Sequence, residues 1–451
     1  NWFDGRSESA FAQWRGLCQG RDVNALMTAG QLINWGMPTL AAEMLNALDC
    51  QRTLPLYLQA SLLPKAERGE LVAKAIDVFP QFVRFPNTLE EVAALESIEE
   101  CWFARHLLAC FYYNKRSYNK AITLWQRCVE MSPEFADGWR GLAIHAWNKQ
   151  HDYELAARYL DNAYQLAPQD ARLLFERDLL DKLSGATPEK RLARLENNLE
   201  IALKRDDMTA ELLNLWHLTG QADKAADILA TRKFHPWEGG EGKVTSQFIL
   251  NQLLRAWQHL DARQPQQASE LLHAALHYPE NLSEGRLPGQ TDNDIWFWQA
   301  ICANAQGDET EATRCLRLAA TGDRTINIHS YYNDQPVDYL FWQGMALRLL
   351  GEQHTAQQLF SEMKQWAQEM AKTSIEADFF AVSQPDLLSL YGDLQQQHKE
   401  KCLMVAMLAS AGLEEVAQYE SARAELTAIN PAWPKAALFT TVMPFIFNYV
   451  H

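Results

Sequence analysis

The feature that most constrains this chain is that it repeats itself. From Arg105 to Pro133, Leu108 and Ala109 are followed by Tyr112, Tyr118, Ala121, Trp125 and Cys128. The next block runs Trp139, Leu142, Ala143, Ala146, Ala156, Leu160, Ala163 and Pro168, which puts its closing proline 35 residues after the first. Apolar residues recurring at intervals of three and four mark helices. Small residues such as Ala109 and Ala121 let two antiparallel helices approach closely. Tyr112 and Trp125 then fill the space between neighbouring pairs. A proline stops each second helix, because it has no backbone N–H to donate and its ring clashes with the preceding turn. A hairpin that is apolar on more than one face cannot bury those faces alone, and stacking buries them. The second block carries one extra residue near Gln150–His151, in the turn between its helices.

Looser copies extend the pattern. One starts near Ala25, Ala29, Leu32 and Gly36, and others near Leu212–Leu229, Ala256–Pro279, Trp296–Ala319, Leu340–Phe360 and Val405–Pro431. Glycine recurs five positions before the second-helix alanine at Gly36, Gly220, Gly307, Gly351 and Gly412. A glycine there is expected to end the first helix in a left-handed cap. The period and the W-x-x-L … A … P spacing resemble the tetratricopeptide repeat, of about 34 residues. The expected fold is all-α, a TPR-like α-solenoid winding as a right-handed superhelix of about nine to eleven hairpins. A chain of 451 residues exceeds what one compact core holds, and a one-dimensional stack has no such limit. We expect one continuous array, with N-terminal hairpins over 1–100, regular repeats over 101–236, and repeats with long loops and a capping helix over 237–451. The long loops are Thr231–Lys243, Tyr278–Asp294 and Ala320–Val337.

The charge balance is −16, from 57 acidic and 41 basic residues. Nucleic-acid binding rests on neutralising phosphates, so the composition argues against such a partner. The densest basic stretch, Lys190–Arg205, is interleaved with Glu189, Glu196 and Glu200 and reads as a solvated helix face. The acidic run Leu89–Glu100 reads the same way, with a site for a basic partner as the alternative. No apolar run reaches the length of a membrane span. The nearest, Ala436–Val450, is interrupted by Thr440, Thr441, Pro444 and Asn448 and reads as a terminal closing helix, with self-association as a weaker reading. The eight cysteines, Cys50 among them, form no Cys-x-x-Cys pair and imply a reducing, cytoplasmic setting. The absence of a signal peptide and of an initiator Met before Asn1 suggests a segment of a longer protein or a processed chain.

Two strings go beyond the generic repeat: RKFHPWEGGEGKV over Arg232–Val244, and the stretch from Asp378 to Leu413 that opens with Asp378, Phe379, Phe380, Ser383, Pro385 and Asp386. Together they resemble the large bacterial YphG-type proteins, in which tetratricopeptide repeats follow a β-rich region like carbohydrate-active sandwich domains. The resemblance covers nearly the whole chain as the C-terminal half of such a protein. It carries over no catalytic residue.

His235, Trp237, Glu238 and Glu241 make the Arg232–Val244 loop the leading candidate site. Its paired carboxylates could act as acid and base on a glycoside if held at the right separation. Trp237 could stack on a sugar or a partner's proline. Three glycines equally suit a tight turn, and Glu241 could cap the following helix. Trp216, Trp257, Trp296 and Trp342 fall mainly in first helices, where they could line an aromatic groove or fill the core. His273 and His277 have zinc-ligand spacing but no third ligand. Asp292, Asn293 and Asp294 fit N-caps better than a cation loop. Pro385, with Ser383 just outside, suits a helix start between repeats. With no catalytic motif, metal site or cofactor signature, the favoured reading is a non-catalytic scaffold that docks a partner protein or the β-rich N-terminal half of its own chain. The alternative is an accessory to a carbohydrate site completed by His235–Glu241.

Overall fold

The computed structural model describes residues 7–19, 21–48, 52–78, 84–327, 335–376 and 388–449. Cys50 and the string Asp378, Phe379, Phe380, Ser383, Pro385 and Asp386 lie outside them. Among the described residues all regular structure is helical and no strand occurs. The fold is all-α, of the TPR-like α-solenoid type.

Among the described residues, nine helical hairpins turn through a left-handed residue. Eight of them close the turn with an N–H donated to the carbonyl five residues back: Met37 to Leu32, Ser117 to Tyr112, Ala186 to Asp181, Gln221 to Trp216, Gln264 to His259, Asp308 to Ala303, Glu352 to Leu347 and Glu415 to Ser410. This is the bond that satisfies a stray carbonyl at a helix end when the chain turns through a left-handed residue. Gly36, Gly185, Gly220, Gly307 and Gly351 supply that residue at positive φ, and Arg116, Arg263 and Glu414 adopt it without being glycine. The ninth turn is the one with the extra residue. Ala146–Gln150 winds as a π-turn, His151 is left-handed (φ 54°), and Asp152 donates to the carbonyl of Ala146, six residues back. An inserted residue widens the helix there and leaves both helices in register.

One expectation about the turns is corrected, and one repeat is added. Gly412 does not cap; it closes the helix Leu394–Gly412, and Glu414 takes the left-handed position at φ 65°. A Cβ on Gly412 would meet the Phe360 ring at 2.3 Å, and so would one on Gly344, so these glycines make room for a ring. The hairpin Ala171–Leu183 with Pro188–Glu196 is a repeat that apolar spacing did not reveal.

The described residues fall into two compact units, one drawn from Asn1–Pro168 and Ser383–Leu390, the other from Gln169–Val382 and Tyr391–His451. In the first unit, one core runs from Trp14 through Tyr57 and Phe103 to Leu108. Glu91 is buried there as half of a capping box with Thr88, and Arg84 pairs with it at 3.3 Å, so the acidic run is not wholly a solvated face. The second unit's core runs from Ala222 to Ile446 and includes the terminal helix Ala436–Tyr449. Phe439 of that helix stacks on Trp342 at 5.8 Å, so its apolar face lies inside its own unit. Among the described residues no helix is long and apolar enough to cross a membrane.

Ion pairs occupy core positions in the second unit. Arg191, 1% exposed, donates to both oxygens of Asp178 (3.0 and 2.6 Å) and to Glu211 at 3.0 Å. The Lys190–Arg205 stretch is therefore not simply a solvated face. Lys435 lies between Asp294 (2.9 Å) and Asp338 (2.6 Å). Burial alone would lower the Lys435 amine's pKa, and the two carboxylates raise it instead.

Candidate functional site

The Arg232–Val244 loop is built as a joint. Arg232 donates through Nε (3.0 Å) and Nη2 (2.7 Å) to Asp206, whose other oxygen accepts from the His235 backbone N–H at 3.0 Å and faces His235 Nδ1 at 3.1 Å. Phe234 is buried and donates its N–H to the Asn281 carbonyl at 2.8 Å; Ser283 Oγ donates back to the Phe234 carbonyl at 2.7 Å. Gly240 donates to the Trp237 carbonyl at 3.0 Å across a turn with Gly239 at φ 76°. A Cβ on Gly240 would meet the Trp237 indole at 1.9 Å, so the half-buried ring lies on its own loop.

Glu238 and Glu241 are exposed. The carboxylate at the start of the helix Lys243–Asp261 belongs to Glu284, which accepts from Gly242 N–H at 2.7 Å, and not to Glu241, the alternative cap that the sequence offered. Burial raises the Glu284 pKa, the Gly242 N–H opposes the rise, and the charge of Glu241 adds to it. The loop is thus tied to Asp206 through Arg232 and His235, and to Asn281, Ser283 and Glu284 through its main chain, while Glu238 and Glu241 face solvent.

The four tryptophans do not form one surface. Trp342 is fully buried, and Trp216 is buried with Nε1 donating to Glu196 at 2.9 Å. Trp257 is half-buried against Trp298 and Phe445. Trp296 is half-buried under the Arg314 guanidinium, 5.4 Å from its ring. The His273 and His277 rings meet edge to face at 5.2 Å, and among the described residues no group of three metal-ligating side chains exists. Asp292 occupies the N-cap position before helix Asn293–Ala305 but makes no side-chain cap. It pairs with Arg286, while Asn293 donates to the carbonyls of Ala319 (2.7 Å) and Thr321 (2.6 Å). The Asp-Asn-Asp run corrects from capping to a buried polar junction.

Two features were not singled out from the sequence. The first is a cleft of about 430 Å³ in the second unit, lined by Phe248, Asn251, Gln252, Arg255, His277 and Asn281 among others. The second lies in the first unit, on the two most regular hairpins. Arg140 of helix Ala136–His145 donates Nη2 to the Leu388 carbonyl at 2.6 Å. Asn148 of the π-turn donates to the Ser389 carbonyl at 2.7 Å and to Tyr113 Oη at 3.3 Å. Leu390 is buried at 6% exposure. Residues 388–390 are neither helix nor strand, so their carbonyls have no regular partner, and these two side chains satisfy them. The extra residue that produces the π-turn also sets the helix end that carries Asn148. The repeat surface thus grips an irregular stretch of chain, through its main chain, from 241 and 248 residues away.

These features define a class: repeat proteins of antiparallel helical hairpins with a segment held on their surface. No protein-family model matches the chain. Among solved structures, it is similar to Naa15/Naa10 bound to HypK-THB, at 12% identity and TM-score 0.34, covering 83% of this chain and 50% of that one. It is also similar to the P58(IPK) TPR domain, at 15% identity and TM-score 0.25 over 78% of this chain and 95% of that one. The APC/C hetero-tetramer Cut9–Hcn1 matches at 12% identity and TM-score 0.25 over 99% and 88%. The chain spans half the length of the first of these.

Proposed function

We propose that this chain is a non-catalytic interaction scaffold that binds an extended segment of a protein partner, and that the partner is the β-rich half of a YphG-type protein. The supporting observation is the pair Arg140 and Asn148, which hold the carbonyls of Leu388 and Ser389. Side-chain donors presented by helices read a peptide's main chain, which every extended partner offers. The proposal includes one continuous array over 1–451, with parts at 1–100, 101–236 and 237–451, and a reducing, cytoplasmic setting, to which the seven described cysteines, all free and buried, lend support.

Isothermal titration of the purified chain against the β-rich half of a YphG-type protein tests this. A saturable complex weakened at least tenfold in the Arg140→Ala/Asn148→Ala chain is expected. Absence of a complex overturns docking to that half. Binding indifferent to both substitutions overturns the assignment of the surface.

A further inference from the structure

We propose that residues 388–390 sit on the Arg140–Asn148 surface as an internal competitor, and that an extended peptide with a leucine-x-leucine pattern takes their place. This rests on the scaffold reading and adds its regulation. Both donors address main-chain carbonyls, Leu388 O at 2.6 Å and Ser389 O at 2.7 Å. Carbonyls are common to all peptides, so these two bonds do not distinguish this segment from another. Selectivity falls to the side chain that is buried, Leu390 at 6% exposure, while Leu388 and Ser389 stay half-buried.

The donors themselves are fixed. Arg140 is 9% exposed, and Asn148 is oriented by its second bond, to the fully buried Tyr113. Preorganised donors lose little freedom on exchanging one peptide for another. The held segment, by contrast, has no helix or strand hydrogen bonds of its own and is followed directly by Tyr391 of the second unit. Segments with few regular hydrogen bonds open at the low end of a protein's range of local stability. A resident segment lowers the apparent affinity of any competitor by the fraction of time the surface is free.

The probe is a fluorescein-labelled peptide with the sequence of residues 388–395, titrated into the full chain and read by anisotropy. The unaltered chain is expected to bind weakly. The Leu390→Asp chain, which expels the resident segment, is expected to bind at least tenfold tighter, and Asn148→Ala in that background to abolish the gain. Equal affinity for both chains, or a gain that survives Asn148→Ala, overturns the proposal. If Leu390→Asp loses its circular dichroism signal, amide exchange at 388–390 is followed in the unaltered chain with and without millimolar peptide. Faster exchange with peptide supports displacement, and unchanged exchange overturns it. A chain that binds the β-rich half through Arg140 and Asn148, yet gives the peptide no advantage in Leu390→Asp, sinks the competitor and leaves the scaffold standing.

Discussion

At the scale of residues, the clearest consequence concerns His217, which the sequence hid behind its neighbour Trp216. Its Nδ1 faces Gln247 Oε1 at 2.9 Å, and its Nε2 faces Asn251 Nδ2 at 3.1 Å, while Asn251 also donates to the Ala222 carbonyl at 2.7 Å. An amide oxygen only accepts, so Nδ1 carries the proton and Nε2 accepts from Asn251. That arrangement suits the neutral ring. Burial lowers its pKa from 6.5 to about 4, with the Gln247 bond opposing. The unfolded chain therefore takes up the proton first as pH falls. Stability from this group is complete above the unfolded value and is lost between 6.5 and about 4. The whole loss is about 3 kcal/mol. Urea midpoints taken from pH 7 to pH 4 should fall more steeply for the unaltered chain than for His217→Gln. Parallel curves would show that another group governs the acid response.

At the scale of elements, the hairpin turns were legible and the charged hairpin was not. A glycine five residues before an alanine identifies Gly36, Gly220, Gly307 and Gly351 because only the backbone decides that position. The signal fails at Gly412, where the same spacing marks space for Phe360. It is silent where Arg116, Arg263 and Glu414 take positive φ. A left-handed residue with a Cβ costs about 1–2 kcal/mol. Arg263→Gly should therefore raise the thermal midpoint by an amount equal to about 1 kcal/mol of stability. An unchanged or lower midpoint would mean that the arginine stem makes good the strain. The hairpin 171–196 escaped because charges stand where apolar residues would betray a helix face. Asp178 and Arg191 are each 1% exposed. Burial raises the Asp178 pKa, and its bonds to Arg191 oppose the rise. Arg191→Ala strands that carboxylate and should cost about 3–5 kcal/mol, whereas Asp178→Leu with Arg191→Met should cost far less. Denaturant midpoints of the three chains decide it: equal losses in both variants would show that packing volume, not charge, sets the penalty.

At the scale of the whole molecule, the helical periodicity announced the repeat. The grip on residues 388–390 was invisible in the sequence because Arg140 and Asn148 are ordinary polar residues until a stretch more than 240 residues away arrives. Each unit has its own core, from Trp14 to Leu108 in one and from Ala222 to Ile446 in the other. In a stacked architecture each hairpin contacts mainly its neighbours, so a lesion spreads by nearest-neighbour coupling and weakens with distance along the stack. Phe103 is fully buried, with Tyr57 at 6.5 Å and Phe135 at 6.1 Å between ring centroids. Phe103→Ala removes a ring that the surrounding helices cannot fully collapse upon, at a cost of about 3–5 kcal/mol. Hydrogen exchange should then quicken most in helices Thr53–Ser61 and Trp102–Asn114, and least in helices Tyr339–Leu349 and Leu394–Gly412 of the second unit. Asn148 is carried by the hairpin after Phe103's own, so protection at 388–390 should fall by an intermediate amount. A uniform rise in exchange across all four helices would mean that the chain unfolds as one cooperative body, and that the grip on 388–390 is no more local than the core.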